Sequence, residues 1–218
     1  MSLLNGDNFY QSTLDTNYTG HFNTLFVNNE RIISAVNLIL PATTLTQNCY
    51  SNMFYNCSNM TDAPRILATT LANDCCTSMF QNCTSLVQPP TMNATTLAQN
   101  CYKNMFKNCT SLSKTPKLSV TTLSTGCYSN MFEGCSLLYK SPDLPATTLV
   151  DSCYKEMFKD CVNLNRITMM ATNISATDCL SNWVNNVATN GIFTRDSQMT
   201  TLPSGVNGVP RNWIVIII

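Results

Sequence analysis

Apolar residues return at every fourth position through the middle of the chain. In the stretch 95–109, Leu97, Cys101, Met105 and Cys109 stand at i, i+4, i+8 and i+12, flanked by Tyr102 and Phe106. Taken as helical periodicity, this single buried stripe predicts an amphipathic helix. Thr95 and Thr96 precede it, where an N-cap belongs. Asn56, Asn82, Asn108, Gly134 and Asp160 each stand one residue before the second cysteine of successive copies. These residue types tolerate the left-handed conformation that closes a helix. The stretch 109–118 is too short and proline-punctuated for a second helix, and it predicts a short strand and a turn. Pro64, Pro90, Pro116 and Pro142 share one register. Proline fixes φ and donates no ladder hydrogen bond, so each is expected to end its strand.

The pattern repeats with a period of 26 residues. Cys49, Cys75, Cys101, Cys127, Cys153 and Cys179 form one series; Cys57, Cys83, Cys109, Cys135 and Cys161 form a second, eight residues behind. An unbroken period of this length is the signature of a solenoid, one supersecondary unit stacked on copies of itself. The expected fold class is an α/β repeat solenoid, leucine-rich-repeat-like, with short parallel strands on the concave side, helices on the convex side and capped ends. The expected division is an N-terminal segment 1–16, a degenerate N-terminal capping repeat 17–42, five repeats over 43–172, and a degenerate last repeat with a C-terminal cap over 173–218. His21 and Asn29 stand in the capping repeat where cysteines belong.

Composition narrows the chemistry. The chain has 218 residues with 12 basic and 12 acidic side chains, so no electrostatic footprint for nucleic acid is expected. Charged residues are only 11%, which leaves Asn, Thr, Ser and Gln to cover the surface. The N-terminus shows neither a basic n-region nor an apolar h-region, so either the chain is not exported by the general route or its signal has been removed. The apolar end, Trp213 to Ile218, is far shorter than the roughly 20 residues of a membrane span and predicts a terminal strand. Cys-x7-Cys spacing and the single histidine argue against zinc. Cysteines held in a repeat register predict small buried apolar residues, with disulfides between stacked coils as the alternative. No cofactor and no metal are expected.

The string MetPhe-x-Asn-Cys-x-x-Leu, the form AlaThrThrLeu-x-x-x-Cys-Tyr-x-x-MetPhe and the LeuProAlaThrThrLeu of 144–149 resemble the BspA-like leucine-rich repeat, in a version seen in surface proteins of gut bacteria and in their phages. The ending, with Trp183-Val184, Gly191-Ile192-Phe193, Gly208-Val209-Pro210 and Trp213, resembles that of the same proteins. The resemblance covers roughly residues 20–218. It implies adhesion or recognition on a virion or bacterial cell surface, host attachment included, and supplies no catalytic residues.

Variation between repeats locates a candidate surface. Leu45, Leu71, Leu97, Leu123 and Leu149 hold one register, and methionine recurs at 53, 79, 105, 131 and 157. The strand register changes from copy to copy. Its columns are Thr61, Val87, Ser113, Tyr139 and Asn165; Asp62, Gln88, Lys114, Lys140 and Arg166; and Arg65, Thr91, Lys117, Asp143 and Met169. The first two columns, with Arg65, Thr91, Lys117 and Asp143 of the third, form the candidate ligand face for protein or glycan. The alternative is exposed positions that drift without function. Tyr50, Tyr102, Tyr128 and Tyr154 form an aromatic column suited to sugar stacking or, at this spacing from Phe54, Phe106, Phe132 and Phe158, to packing. An enzyme would need a nucleophile with an oriented base, and no spacing supplies one, Asp143 with Asp151 included. A structural role is the third reading: Ile214, Val215, Ile216, Ile217 and Ile218 would dock on another chain as an added strand, giving an oligomer.

Overall fold

The computed structural model describes Leu14 and residues 18–218. The chain winds into a parallel solenoid of about seven coils with a 26-residue repeat. One side carries short strands, absent between Ile66 and Lys140: β1 (Ile39–Leu40), β2 (Arg65–Ile66), β3 (Lys140–Leu144), β4 (Arg166–Met169), β5 (Ile192–Arg195) and β6 (Ile214–Ile217). They form a two-stranded sheet, β1-β2, and a four-stranded sheet, β3-β4-β5-β6, with every pairing parallel.

The other side is not helical. No α-helix occurs among the described residues, which corrects the helices expected on the convex side. The Leu–Cys–Met–Cys stretch is instead a ladder of overlapping β-turns. Cys101, Lys103, Met105, Lys107 and Cys109 each donate their N–H to the carbonyl three residues back, at 3.0–3.3 Å. Asn100, Tyr102, Asn104, Phe106 and Asn108 donate to the next coil, to the carbonyls of Thr125, Cys127, Ser129, Met131 and Glu133, at 2.7–3.0 Å. Odd amides close turns and even amides join coils, so every backbone donor of this stretch is satisfied, as a buried backbone requires. Because 26 is even, the same parity serves every coil.

This ladder needs a left-handed residue at every fourth position. Asn48, Asn52 and Asn56 have φ of 55°, 54° and 58°, and Asn100, Asn104 and Asn108 repeat the arrangement at 53°, 55° and 59°. The left-handed expectation for Asn56, Asn82, Asn108, Gly134 and Asp160 is met; the helix they were expected to close is absent. The physical reason lies in the period. A helix turns about 100° per residue, so a strict four-residue repeat drifts by about 40° each time and would swing Cys109 about 120° away from Leu97. A four-residue turn repeat keeps all of them on one line. Thr95 and Thr96 cap no helix; the Thr95 amide bonds Thr69 O at 2.9 Å and Thr96 bridges Thr70.

Stacking the ladders aligns identical side chains. Phe26, Phe54, Phe80, Phe106, Phe132 and Phe158 form a continuous ring stack with centroids 5.2–5.8 Å apart, ending against Trp183 at 6.1 Å. Tyr102, Tyr128 and Tyr154 stack alongside at 5.9 and 6.1 Å, and with Tyr50 they are buried, so this column packs the interior. All twelve cysteines are buried free thiols. The second series ties coils together: the thiols of Cys57, Cys83, Cys109, Cys135 and Cys161 donate to the carbonyls of Phe26, Phe54, Phe80, Phe106 and Phe132 at 3.0–3.1 Å. On the outer face of the turns, Glu133 sits between Lys107 at 2.7 Å and Lys159 at 3.6 Å, an ion-pair column across three coils.

The first coil keeps the ladder with Gly20, Thr24 and Asn28 at positive φ, and His21 Nδ1 lies 3.1 Å from Thr46 Oγ1. The expected N-terminal segment 1–16 lies outside the described residues apart from Leu14. At the far end the indole N–H of Trp183 donates to Gly208 O at 2.9 Å, and that of Trp213 to Ala188 O at 2.8 Å. Gly191 lets the chain pass there, since a Cβ would stand 2.5 Å from Asn165 O and 2.7 Å from the Trp213 ring.

Two consequences are measurable. Left-handed backbone disfavours branched side chains, so Asn104→Val should cost on the order of 1–3 kcal/mol in urea unfolding while Asn104→Gly stays near neutral, and Thr24→Gly should stabilise the first coil. A result in which Asn104→Val unfolds like wild type would contradict the turn ladder. Burial also pushes the thiols of Cys49, Cys127 and Cys153 up to about 12. A raised folded pKa stabilises fully below the unfolded value near 9 and is lost as pH climbs toward 12. Stability should therefore fall above pH 9 by about 1.4 kcal/mol per pH unit for each such thiol, followed by urea titration at stepped pH. At pH 8 a thiol reagent should modify none of the cysteines in the native protein and all twelve in urea.

Candidate functional site

The strand side is where the coils differ, and prolines decide how. β4 and β5 carry no proline and pair over four residues, Arg166–Met169 against Ile192–Arg195. Pro64 directly precedes the two-residue β2, and Pro142 lies inside β3, whose register shifts between Lys140 and Asp143. Pro89, Pro90 and Pro116 stand in segments that form no strand. The expectation that each proline ends a strand is thus corrected: the missing donor and fixed φ keep the strand side of these coils from forming a strand at all, with Gln88 left as an isolated bridge to Asp62.

The outcome is a break in the strand ladder. No backbone amide from Ser113 to Thr125 donates to a backbone carbonyl, whereas the turn ladders of the same coils are paired on both sides. The coils are held together along the turns and part along the strands. Two grooves open beside the unpaired segment. One, of about 490 Å³, lies between residues 115–119 and Lys140, Ser141, Pro142, Asp143 and Pro145. The other, of about 620 Å³, lies between residues 94–97 and 119–124.

The candidate face divides along this break. Thr61 and Asp62 are half-buried and committed to structure: Thr61 Oγ1 bonds Ile33 O at 3.0 Å and Asp62 Oδ2 at 2.7 Å, and Asp62 bridges Ser34 and Gln88. Arg65 begins β2 and is exposed; Val87, Gln88 and Thr91 are exposed on the coil that follows. Ser113 is half-buried, and Lys114 and Lys117 are exposed on the unpaired segment. Tyr139 is 54% exposed, an unusual position for a tyrosine in a protein whose other aromatic columns are sealed. Lys140 pairs in register with Arg166, and its ammonium lies 3.9 Å from Asp143. Asn165 and Arg166 are exposed, whereas Met169 of the third column is buried. Lys117, Lys140 and Asp143 meet in one groove; Arg65, in β2 of the first sheet, and Thr61 and Asp62 just before it lie two coils away.

Columns alone did not single out Thr115, Ser119, Ser141 and Pro145, which line the grooves. Their signal is the proline register itself, since Pro116 and Pro142 stand in adjacent coils at the same position. Among the described residues no three His, Cys, Asp or Glu side chains come together as a metal site, and no helix is long and apolar enough to cross a membrane. β6 is exposed at all four residues, from 41% at Val215 to 66% at Ile214. No family model, curated protein or solved structure matches the chain.

Amides outside a ladder exchange with solvent faster than those within one. Hydrogen exchange should therefore be faster across 113–122 than across the turn ladders 100–109 and 126–135; equal protection would contradict the break.

Proposed function

We propose that the protein is a non-catalytic recognition or adhesion module of the BspA-like leucine-rich-repeat kind, on a phage virion as a fibre or attachment protein or on a bacterial surface, binding glycan or protein through its strand side. The observation that carries this reading is the contrast between a sealed, repeating interior and exposed strand-side positions that vary between coils and border two grooves. A scaffold that keeps its packing and varies its exposed positions is suited to recognition by many shallow contacts. Catalysis has little to work with. His21 lies in the first coil with Nδ1 against Thr46 and a buried, unpartnered Nε2, far along the chain from the grooves, and burial pushes thiols such as Cys101 and Cys109 well up.

A labelled chain should bind whole cells of a gut-bacterial panel or their immobilised envelope glycans and proteins. Ser119→Trp, which fills the shared rim of the grooves, should weaken that binding at least tenfold with an unchanged melting temperature. Wild-type binding by this variant, or no binding to any cell or extract, would overturn the reading.

A second reading rests on β6. Its outer edge is unpaired among the described residues and its side chains carry no charge, so a second copy of the chain is the occupant its chemistry suits, by edge pairing about a two-fold axis. Light scattering should then give a dimer that Ile216→Lys converts to a monomer; a wild-type monomer at high concentration contradicts it.

A further inference from the structure

Most basic side chains on the turn side are ion-paired, and most of those on the strand side from Lys114 to Arg166 are not. On the turns, Lys107 and Lys159 meet Glu133 and Lys155 meets Asp178 at 3.2 Å, while Lys103 has no ion pair with a described carboxylate. On the strand side, Lys114, Lys117 and Arg166 make no ion pair with any described carboxylate, and Lys140 has only Asp143, itself 72% exposed, at 3.9 Å. Lys140 and Arg166 are register partners, so two exposed cations sit about 5 Å apart at the backbone. Like charges so placed repel, and an external anion relieves them.

Tyr139 adds a second, independent observation. It adjoins Lys140, exposes over half its surface and has no ring partner, while the Tyr and Phe columns of the interior are stacked. An exposed ring beside cations offers a flat apolar face to the C–H face of a sugar and leaves the charges for its acidic substituents. The groove lining mixes the hydroxyls of Thr115 and Ser119 with the apolar Pro116, Leu118, Pro142 and Pro145, a combination that matches the hydroxyls and C–H faces of a sugar.

We propose that this surface binds an acidic polysaccharide, a linear glycan bearing carboxylate or sulfate groups, laid along the solenoid axis over Lys114, Tyr139, Lys140 and Arg166. The proposal rests on the recognition reading above and names its ligand class. Lys140 and Arg166 stand one strand spacing apart, and Lys114 precedes them across the break in the ladder, so an extended polyanion laid along the axis meets all three cations without a sugar-by-sugar register. Asp143 and Lys117 flank the track in the adjoining groove and set its edge.

The test is calorimetric titration at 50 and 500 mM NaCl with carboxymethyl cellulose, cellulose sulfate, uncharged hydroxyethyl cellulose and polyglutamate. The expected result is binding to at least one acidic cellulose, over tenfold tighter than to the neutral polymer and to polyglutamate, and weakened at high salt. The two acidic polymers separate carboxylate from sulfate recognition. Lys114→Gln/Lys140→Gln/Arg166→Gln should lose at least tenfold in affinity and most of the salt dependence. Tyr139→Ala should lose about fivefold and keep the salt dependence. The control Lys103→Gln/Arg211→Gln should bind as wild type. Equal binding to the neutral polymer, polyglutamate binding as tight as the polysaccharides, or equal losses in the control overturns the proposal. If cells bind the protein and no acidic polymer does, the ligand class falls and the recognition reading stands. If neither binds, both fall.

Discussion

Everything in this protein hangs on the division of labour between alternate amides on the turn side. One amide closes a β-turn and the next reaches the neighbouring coil, and the carbonyls divide in the same way. A helix spends all its amides on itself and joins its neighbours through side chains alone. Here half the backbone of the outer wall is inter-coil bonding, so the coils are tied at fixed spacing. Phenylalanine must then fall on phenylalanine and thiol below carbonyl, which gives the continuous ring stack and the row of S–H···O contacts.

The cost of that wall is left-handed backbone at three positions in every coil, which explains the asparagine content better than any surface role. Side-chain amides also stack where neighbours allow, as Asn108 does on Asn82 at 3.0 Å and Asn56 on Asn28 at 2.9 Å. Where glycine replaces asparagine, at Gly126 and Gly134, the side chain of the preceding coil's asparagine fills the space a Cβ would take. Thr24 and Glu156 tolerate the same φ less well, and Glu156 is compensated by accepting a bond from Asn130 at 2.7 Å.

Much of this was legible in the residues. The 26-residue period gave the solenoid, its parallel strands and the buried registers. The helices were misread because four-residue spacing was matched to a 3.6-residue period, although Asn48, Asn52 and Asn56, and again Asn100, Asn104 and Asn108, mark the true repeat of four. Only the last asparagine of each set was read as left-handed. Aligned prolines suggest trimmed strands on one uniform face, whereas the coils of Pro90 and Pro116 form no strand and the grooves open beside the segment that carries Pro116. Which exposed residues converge depends on that break, and column spacing carries no information about it.

The function proposed here uses both halves of the design. A wall tied by backbone bonds holds the coils in place, so the strand side can lose its ladder over 113–122 without losing the fold, and exposed positions there are free to vary. The measurement that tests the central claim most directly is a trans-hydrogen-bond NMR coupling experiment on isotope-labelled protein. The turn ladder predicts a coupling from the amide nitrogen of Tyr102 to the carbonyl carbon of Cys127 in the next coil, with that of Met105 coupled to Tyr102. A coupling from Tyr102 back to Ala98, the helical partner four residues earlier, would contradict it.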